Sequence, residues 1–170
     1  MTQTHRIWSL AEAIVDKAGA DGLTLAAAES CTGGLVCAAI TDVPGSSAVL
    51  DRGFVTYSND AKIDAVDVPA ALIARFGAVS APVARAMATG ALARSNADLA
   101  VAVTGIAGPG GGNAQKPVGL VWFGLALRGR SRPRVERRVF AHGGRDFVRG
   151  RAVETALALI LRGLGADDPA

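Results

Sequence analysis

The chain has 170 residues, of which half are hydrophobic and 19% charged, and carries a formal net charge of +3. That balance excludes a disordered polyelectrolyte and suits a single domain with a substantial core, expected over 1–165 with a frayed tail at 166–170. Aromatic residues are only 5% of the chain, so Ala, Val, Leu and Ile must build that core.

Ile7, Leu10, Ala11, Ile14, Val15 and Ala18 recur at helical spacing, which predicts an amphipathic helix over about 4–18 ended by Gly19 and Gly22. Residues 23–28 read as a buried strand that breaks into Glu29-Ser30-Cys31-Thr32-Gly33-Gly34, followed by a helix to Thr41. Val43 to Ser47 has turn chemistry. Residues 51–58 hold Phe54, Val55, Thr56 and Tyr57 and predict a second strand. Asn59 caps a short helix carrying Lys62, and another short helix spans about 70–76. A longer helix begins at Ser80 with Pro82 just inside it.

The near-continuous apolar run of 99–104 is that of a central strand covered on both faces. It ends in the glycine-rich loop 105–112. Strands are predicted over 118–127 and 135–140, and a final helix over 145–161. This order favours an α/β fold, a three-layer α/β/α sandwich with a mixed, mainly parallel central sheet.

The arginines crowd into the last third, from Arg128 to Arg151. They alternate with Val135, Val139 and Phe140 as on the wet face of a strand, so nucleic acid is not the expected partner. Cys31 and Cys37 are too few for a disulfide framework or a four-ligand zinc site. No side-chain set has metal-ligand spacing, and no metal or organic cofactor is expected. Neither a signal-peptide pattern nor a bilayer-spanning apolar run is evident, and a cytoplasmic protein is the expectation.

Three polar clusters fall at predicted carboxyl ends of strands: Ser30 to Gly34, then Tyr57-Ser58-Asn59 with Lys62, then Thr104-Gly105. Ligands of open α/β sheets bind in the crevice outside those ends. Ser30 and Cys31 are the candidate nucleophiles there, and Lys62 and His142 the candidate bases. Lysine is scarce, with only Lys17, Lys62 and Lys116 in the chain, and burial can lower a lysine pKa into the range a base needs. Glu29 either orients a base or substrate or caps the turn. Backbone N–H groups of the Cys31 to Gly34 turn are the candidate donors to an oxyanion.

Glu29-Ser30-Cys31-Thr32-Gly33-Gly34, the run Asp51 to Asn59 with Lys62, Gly77-Ala78-Val79-Ser80, and Thr104 to Pro109 with Lys116-Pro117-Val118-Gly119 together resemble the CinA C-terminal domain family. The resemblance extends from about residue 10 to residue 161. It implies a nicotinamide-nucleotide amidohydrolase, which converts nicotinamide mononucleotide to nicotinic acid mononucleotide and ammonia in pyridine-nucleotide salvage.

It further implies Ser30 as nucleophile, Lys62 as base and Tyr57 as a proton-relay or orienting partner. Thr32, Gly33, Gly34, Ser47, Thr104, Gly105 and Arg145 are the substrate-binding positions by the same resemblance. A homodimer or larger homo-oligomer is implied as well. The length leaves no room for the N-terminal domain of longer relatives, so its pyrophosphatase activity is not expected. Gly110 stands where many relatives carry an acidic residue. The alternatives are a nucleotide-binding module without turnover and a competence-associated partner protein.

Overall fold

A computed structural model describes residues 2–141 and 143–165; His142 and the tail 166–170 lie outside the described residues. Helix α1 (Gln3–Asp21) leads into β1 (Leu25–Glu29), α2 (Leu35–Thr41) and β2 (Leu50–Val55). Then come α3 (Asn59–Val66), α4 (Ala70–Phe76), α5 (Ala81–Ala93), β3 (Leu99–Gly105), β4 (Leu120–Leu127), β5 (Arg134–Val139) and α6 (Arg145–Gly163). The Thr2 hydroxyl caps α1 by accepting from His5 N–H, and Gly22, with φ of 65°, ends it. Ser46–Ala48, expected as a plain turn, is a single turn of 3-10 helix.

The sheet order is β2-β1-β3-β4-β5. β1 lies parallel to β2 and to β3, whereas β4 is antiparallel to both β3 and β5. Four of the five strands therefore run one way and β4 alone runs against them. The mixed three-layer sandwich expected from the element order is the fold observed.

Strand alternation separates two cores. Leu25, Ala27, Leu99, Val101, Val103, Val121, Phe123 and Leu125 face α1, α2 and α6. Ala26, Ala28, Ala100, Ala102 and Ala126 face α3, α4 and α5, against Val66, Val83 and Met87. The second face is thus almost purely alanine, and helices can seat close to the sheet there.

β2 stops at Val55, three residues before the predicted end at Ser58. Its partner β1 ends at Glu29, and Ser30 N–H turns to Val103 O instead, so the ladder has nothing to continue on. A last bond from Thr56 N–H to Glu29 O at 2.7 Å closes the pair. The Ser58 hydroxyl then caps α3 by accepting from Ala61 N–H.

Several arginines of the last third are structural ties. Arg128 donates to the carbonyls of Leu92, Ser95 and Ala97, while Arg138 and Arg162 share Glu136. No helix among the described residues is long and apolar enough to cross a membrane.

Candidate active site

Glu29 and Ser30 are neighbours in sequence and face opposite sides of the sheet, because strand side chains alternate. Glu29 turns towards α2, where its carboxylate accepts from the N–H groups of Gly34, Val36 and Cys37 at 2.9, 3.0 and 2.9 Å. Of its two sequence readings, the cap is therefore the one realised. A buried carboxylate satisfies orphan donors of the helix and opposes its partial positive charge.

Ser30 turns to the other face and meets Lys62. Lys62 Nζ lies 3.0 Å from Ser30 Oγ, 2.8 Å from Thr56 O and 3.4 Å from Ser58 O. The lysine is only 1% exposed although it carries a titratable amine. Burial lowers its pKa from 10.5 to about 8. Once neutral, the amine can donate its two N–H bonds to the carbonyls of Thr56 and Ser58. Its lone pair is then left for the Ser30 hydroxyl.

The N–H groups of the turn after Ser30 are mostly engaged. Gly33 N–H donates to Ser30 O at 3.1 Å, Gly34 N–H to Glu29, and Leu35 N–H to Thr32 O at 3.4 Å. Cys31 N–H has no hydrogen-bond acceptor among the described residues. Thr32 N–H has none either, and Thr32 is fully buried whereas Cys31 keeps a small exposed surface.

Gly33 and Gly34, expected as substrate-binding positions, have a structural role in this turn. At φ of 64° and 99° they supply the left-handed turn, and their donors are spent within it. Thr32 is fully buried, and its hydroxyl has no partner among the described residues.

The rival nucleophile fares poorly, since burial pushes the Cys31 thiol up to about 11. Gly105 packs against that sulfur: a Cβ there would stand 3.1 Å from Cys31 Sγ and 2.7 Å from Val121 Cγ2. Gly105 is therefore required for close packing. Thr104, one register position beyond the Glu29–Val103 pair, is buried and donates to Ala78 O at 2.9 Å. It fastens the α4–α5 turn to the carboxyl end of the sheet.

Tyr57 and Arg145 meet at the rim. Arg145 donates to Tyr57 Oη at 2.7 Å and to Gly108 O at 2.9 Å, joining the β2–α3 connection, the glycine-rich loop and the start of α6. Tyr57 is 59% exposed, and its hydrogen-bond partner is Arg145, not Ser30 or Lys62.

Ser47 stands apart from these residues within the chain. It precedes β2, and the parallel register sets Leu25, the first residue of β1, beside Leu50, the first of β2. Ser47 therefore lies at the amino end of the sheet, with the length of β1 between it and Ser30. The alternative base, His142, lies outside the described residues.

Arg149 was missed in the sequence. It stands one turn after Arg145 on α6 and donates to Cys31 O at 3.2 Å and Thr32 O at 3.1 Å. The i, i+4 spacing of the two arginines was the only available signal. The carbonyls of Thr56 and Ser58 are main-chain groups, and no residue type announces them.

Residues 8–164 match the CinA C-terminal domain. A CinA-like protein of Citrifermentans bemidjiense is 57% identical over 83% of this chain and 33% of its own length. The chain spans about a third of the length of the first curated relatives it matches. A protein of Escherichia coli K12 named nicotinamide-nucleotide amidohydrolase PncC is 49% identical over 89% of this chain and 90% of its own. Among solved structures, the competence/damage inducible protein CihA of Agrobacterium tumefaciens is similar at a TM-score of 0.91. It is 49% identical, with 94% of this chain and 96% of that one covered.

Proposed function

The chain belongs to the CinA C-terminal domain family, and on that footing we propose that it hydrolyses the carboxamide of nicotinamide mononucleotide, with Ser30 as nucleophile and Lys62 as base. The products are nicotinic acid mononucleotide and ammonia. The observation that carries the reading is the buried Lys62 amine, 3.0 Å from Ser30 Oγ and held from behind by two carbonyls. The E. coli relative that matches nearly end to end supplies the substrate class.

In this reading Ser30 Oγ attacks the amide carbon as its proton passes to Lys62 Nζ. The carbonyl oxygen becomes an oxyanion facing the unengaged Cys31 N–H, a type of contact whose loss typically costs about 3 kcal/mol of barrier. The C–N bond then breaks, and the leaving nitrogen takes the proton from Lys62 and departs as ammonia. Water attacks the acyl–Ser30 ester, gives a proton to Lys62, and Ser30 leaves with that proton restored. Arg145 is the cation for the nucleotide phosphate, and Tyr57 and Gly108 orient it. A small soluble metabolite as substrate fits a cytoplasmic enzyme, and the family resemblance makes a homodimer or larger homo-oligomer the expected assembly.

The test is ammonia release from nicotinamide mononucleotide, with EDTA present throughout, by wild type, Ser30→Ala, Lys62→Met and Cys31→Ala. Wild type and Cys31→Ala are expected to turn over, with a fall of about a thousandfold or more in the other two. Full activity in Ser30→Ala would refute the nucleophile. An inert wild type that still binds the nucleotide would refute the activity.

A further inference from the structure

Tyr57, the chain's single tyrosine, leaves 59% of its surface exposed at the rim of the candidate site. Its main chain is tied to the base, because the carbonyls of Thr56 and Ser58, on either side of it, are the two that hold Lys62 Nζ. Its hydroxyl is tied to the far rim, where it accepts from Arg145 at 2.7 Å. The phenol therefore spans the distance between the amine beside Ser30 and the cation assigned to the phosphate. Val55, two residues earlier, is exposed as well and lies against the turn after Ser30, since a Cβ on Gly34 would stand 3.6 Å from its Cγ2.

Nicotinamide mononucleotide presents its groups in the same order: carboxamide, ring, ribose, phosphate. With the carboxamide at Ser30 and the phosphate at Arg145, its ring falls along the length of Tyr57. That ring is a pyridinium, because its nitrogen is bonded to the ribose, and it carries a full positive charge. Lys62, Arg145 and Arg149, which the structure gathers around the turn, are bases or cations and offer that charge no partner. Glu29, beside Ser30 in sequence, is spent on α2 on the other side of the sheet. The exposed electron-rich surface between the two ends of the site is the face of Tyr57, and a cation over a tyrosine face is attracted by the ring quadrupole.

We propose that the Tyr57 ring is the platform that recognises the positive charge of the substrate's pyridinium, so that the site selects carboxamides on cationic, N-substituted pyridine rings over neutral ones. This role belongs to the ring face and is separate from that of the hydroxyl, which orients Arg145. The selectivity presupposes the nucleotide-amidase reading of the site and adds which rings it takes.

The test measures dissociation constants by calorimetry in the Ser30→Ala chain, which is expected to bind without turnover. The ligands are nicotinamide mononucleotide and its reduced dihydro form. The two share carboxamide, ribose and phosphate, and only the first has a charged ring. Each is titrated with Tyr57 intact and with Tyr57→Phe or Tyr57→Leu added; the residue is exposed, so neither change empties the core.

Tyr57→Phe is expected to weaken both nucleotides by one common factor of about 3 to 10, because the lost hydroxyl acts on the phosphate they share. Their ratio of affinities should stay as it was. Tyr57→Leu removes the ring too, and the preference for the charged nucleotide should fall by about 3- to 30-fold.

Equal weakening of the two nucleotides in Tyr57→Leu would overturn the inference and leave the proposed function standing, since a merely structural tyrosine disturbs both alike. So would a preference that survives Tyr57→Leu and disappears in Asp60→Asn or Asp146→Asn, the carboxylates in the first turns of α3 and α6. The charge would then be met by an ion pair. A wild type that releases no ammonia, with the Tyr57-dependent preference intact, would overturn the proposed activity alone. Wild-type and Ser30→Ala chains that bind neither nucleotide would overturn both.

Discussion

Lys62 links activity and stability through one proton, and the link has a definite sign. Burial lowers its pKa from 10.5 to about 8, so below both values the amine is charged in the folded and unfolded states alike. The folded protein then bears the full cost of a buried ammonium. As pH rises through the folded value, the native amine loses its proton first, the unfolded chain binds more protons, and stability must rise with pH. The gain ends above the unfolded value, where both states are neutral.

At about 1.36 kcal/mol per pKa unit, 10.5 against about 8 corresponds to about 3 kcal/mol. Of this, about 2 to 3 kcal/mol falls between about pH 7 and about pH 10. Lys62→Met has no such proton. Urea unfolding of wild type and Lys62→Met across that range isolates the effect, because the other titrating groups cancel in the difference. The wild-type stability should climb relative to the variant by that amount. In parallel, kcat/KM should rise about tenfold per pH unit below about pH 8 and level off above it. A stability difference that stays flat with pH, or a rate independent of pH across about 6 to 9, would refute the neutral-lysine argument.

Glu29→Ala strands three N–H groups at the start of α2, one of them fully buried, and should cost about 3 kcal/mol in urea unfolding, with Glu29→Gln losing less. A loss below about 1 kcal/mol would refute the capping account. In Gly53→Ala the new Cβ would stand 2.4 Å from Cys37 Sγ, an overlap worth about 1 to 3 kcal/mol. Adding Cys37→Ala should recover most of it in a double-mutant cycle, and additive effects would refute the clash. Tyr57→Phe removes the acceptor of Arg145 and should raise KM by about 3- to 10-fold with kcat within about twofold. A fall of about 100-fold in kcat at unchanged KM would instead put the phenol in the proton path.

Much of this architecture can be read from local patterns. The alternation of Leu99, Val101 and Val103 with Ala100 and Ala102 announces a strand between two unlike layers, and those residues do part into the two cores. Ser30 and Lys62 stand out because a glycine-ended turn and a scarce lysine each follow a strand. What escapes the sequence is long-range or carried by the main chain. Ser47 has site-like chemistry beside a strand, and the β1–β2 register sets it at the amino end of the sheet, away from Ser30 in the chain. Gly33 and Gly34 promise free donors, yet the reach of the Glu29 side chain and the closure of the turn consume them. Arg149 holds two carbonyls, which leave no trace in residue identity.

The adjacency of Glu29 and Ser30 is itself part of the chemistry. A strand sends successive side chains to opposite faces, so a carboxylate and a hydroxyl one residue apart share a strand end without sharing an environment. On one side Glu29 offsets the positive end of α2. On the other, Ser30 meets an amine whose lowered pKa comes first from burial. If Glu29 faced Lys62, the opposite charge would favour the ammonium and raise its pKa, and the base would be lost near neutral pH. If α2 had no carboxylate cap, its orphan donors would turn towards any anion in the crevice, product included. Placing the acid behind the sheet keeps the lysine neutral enough to accept a proton.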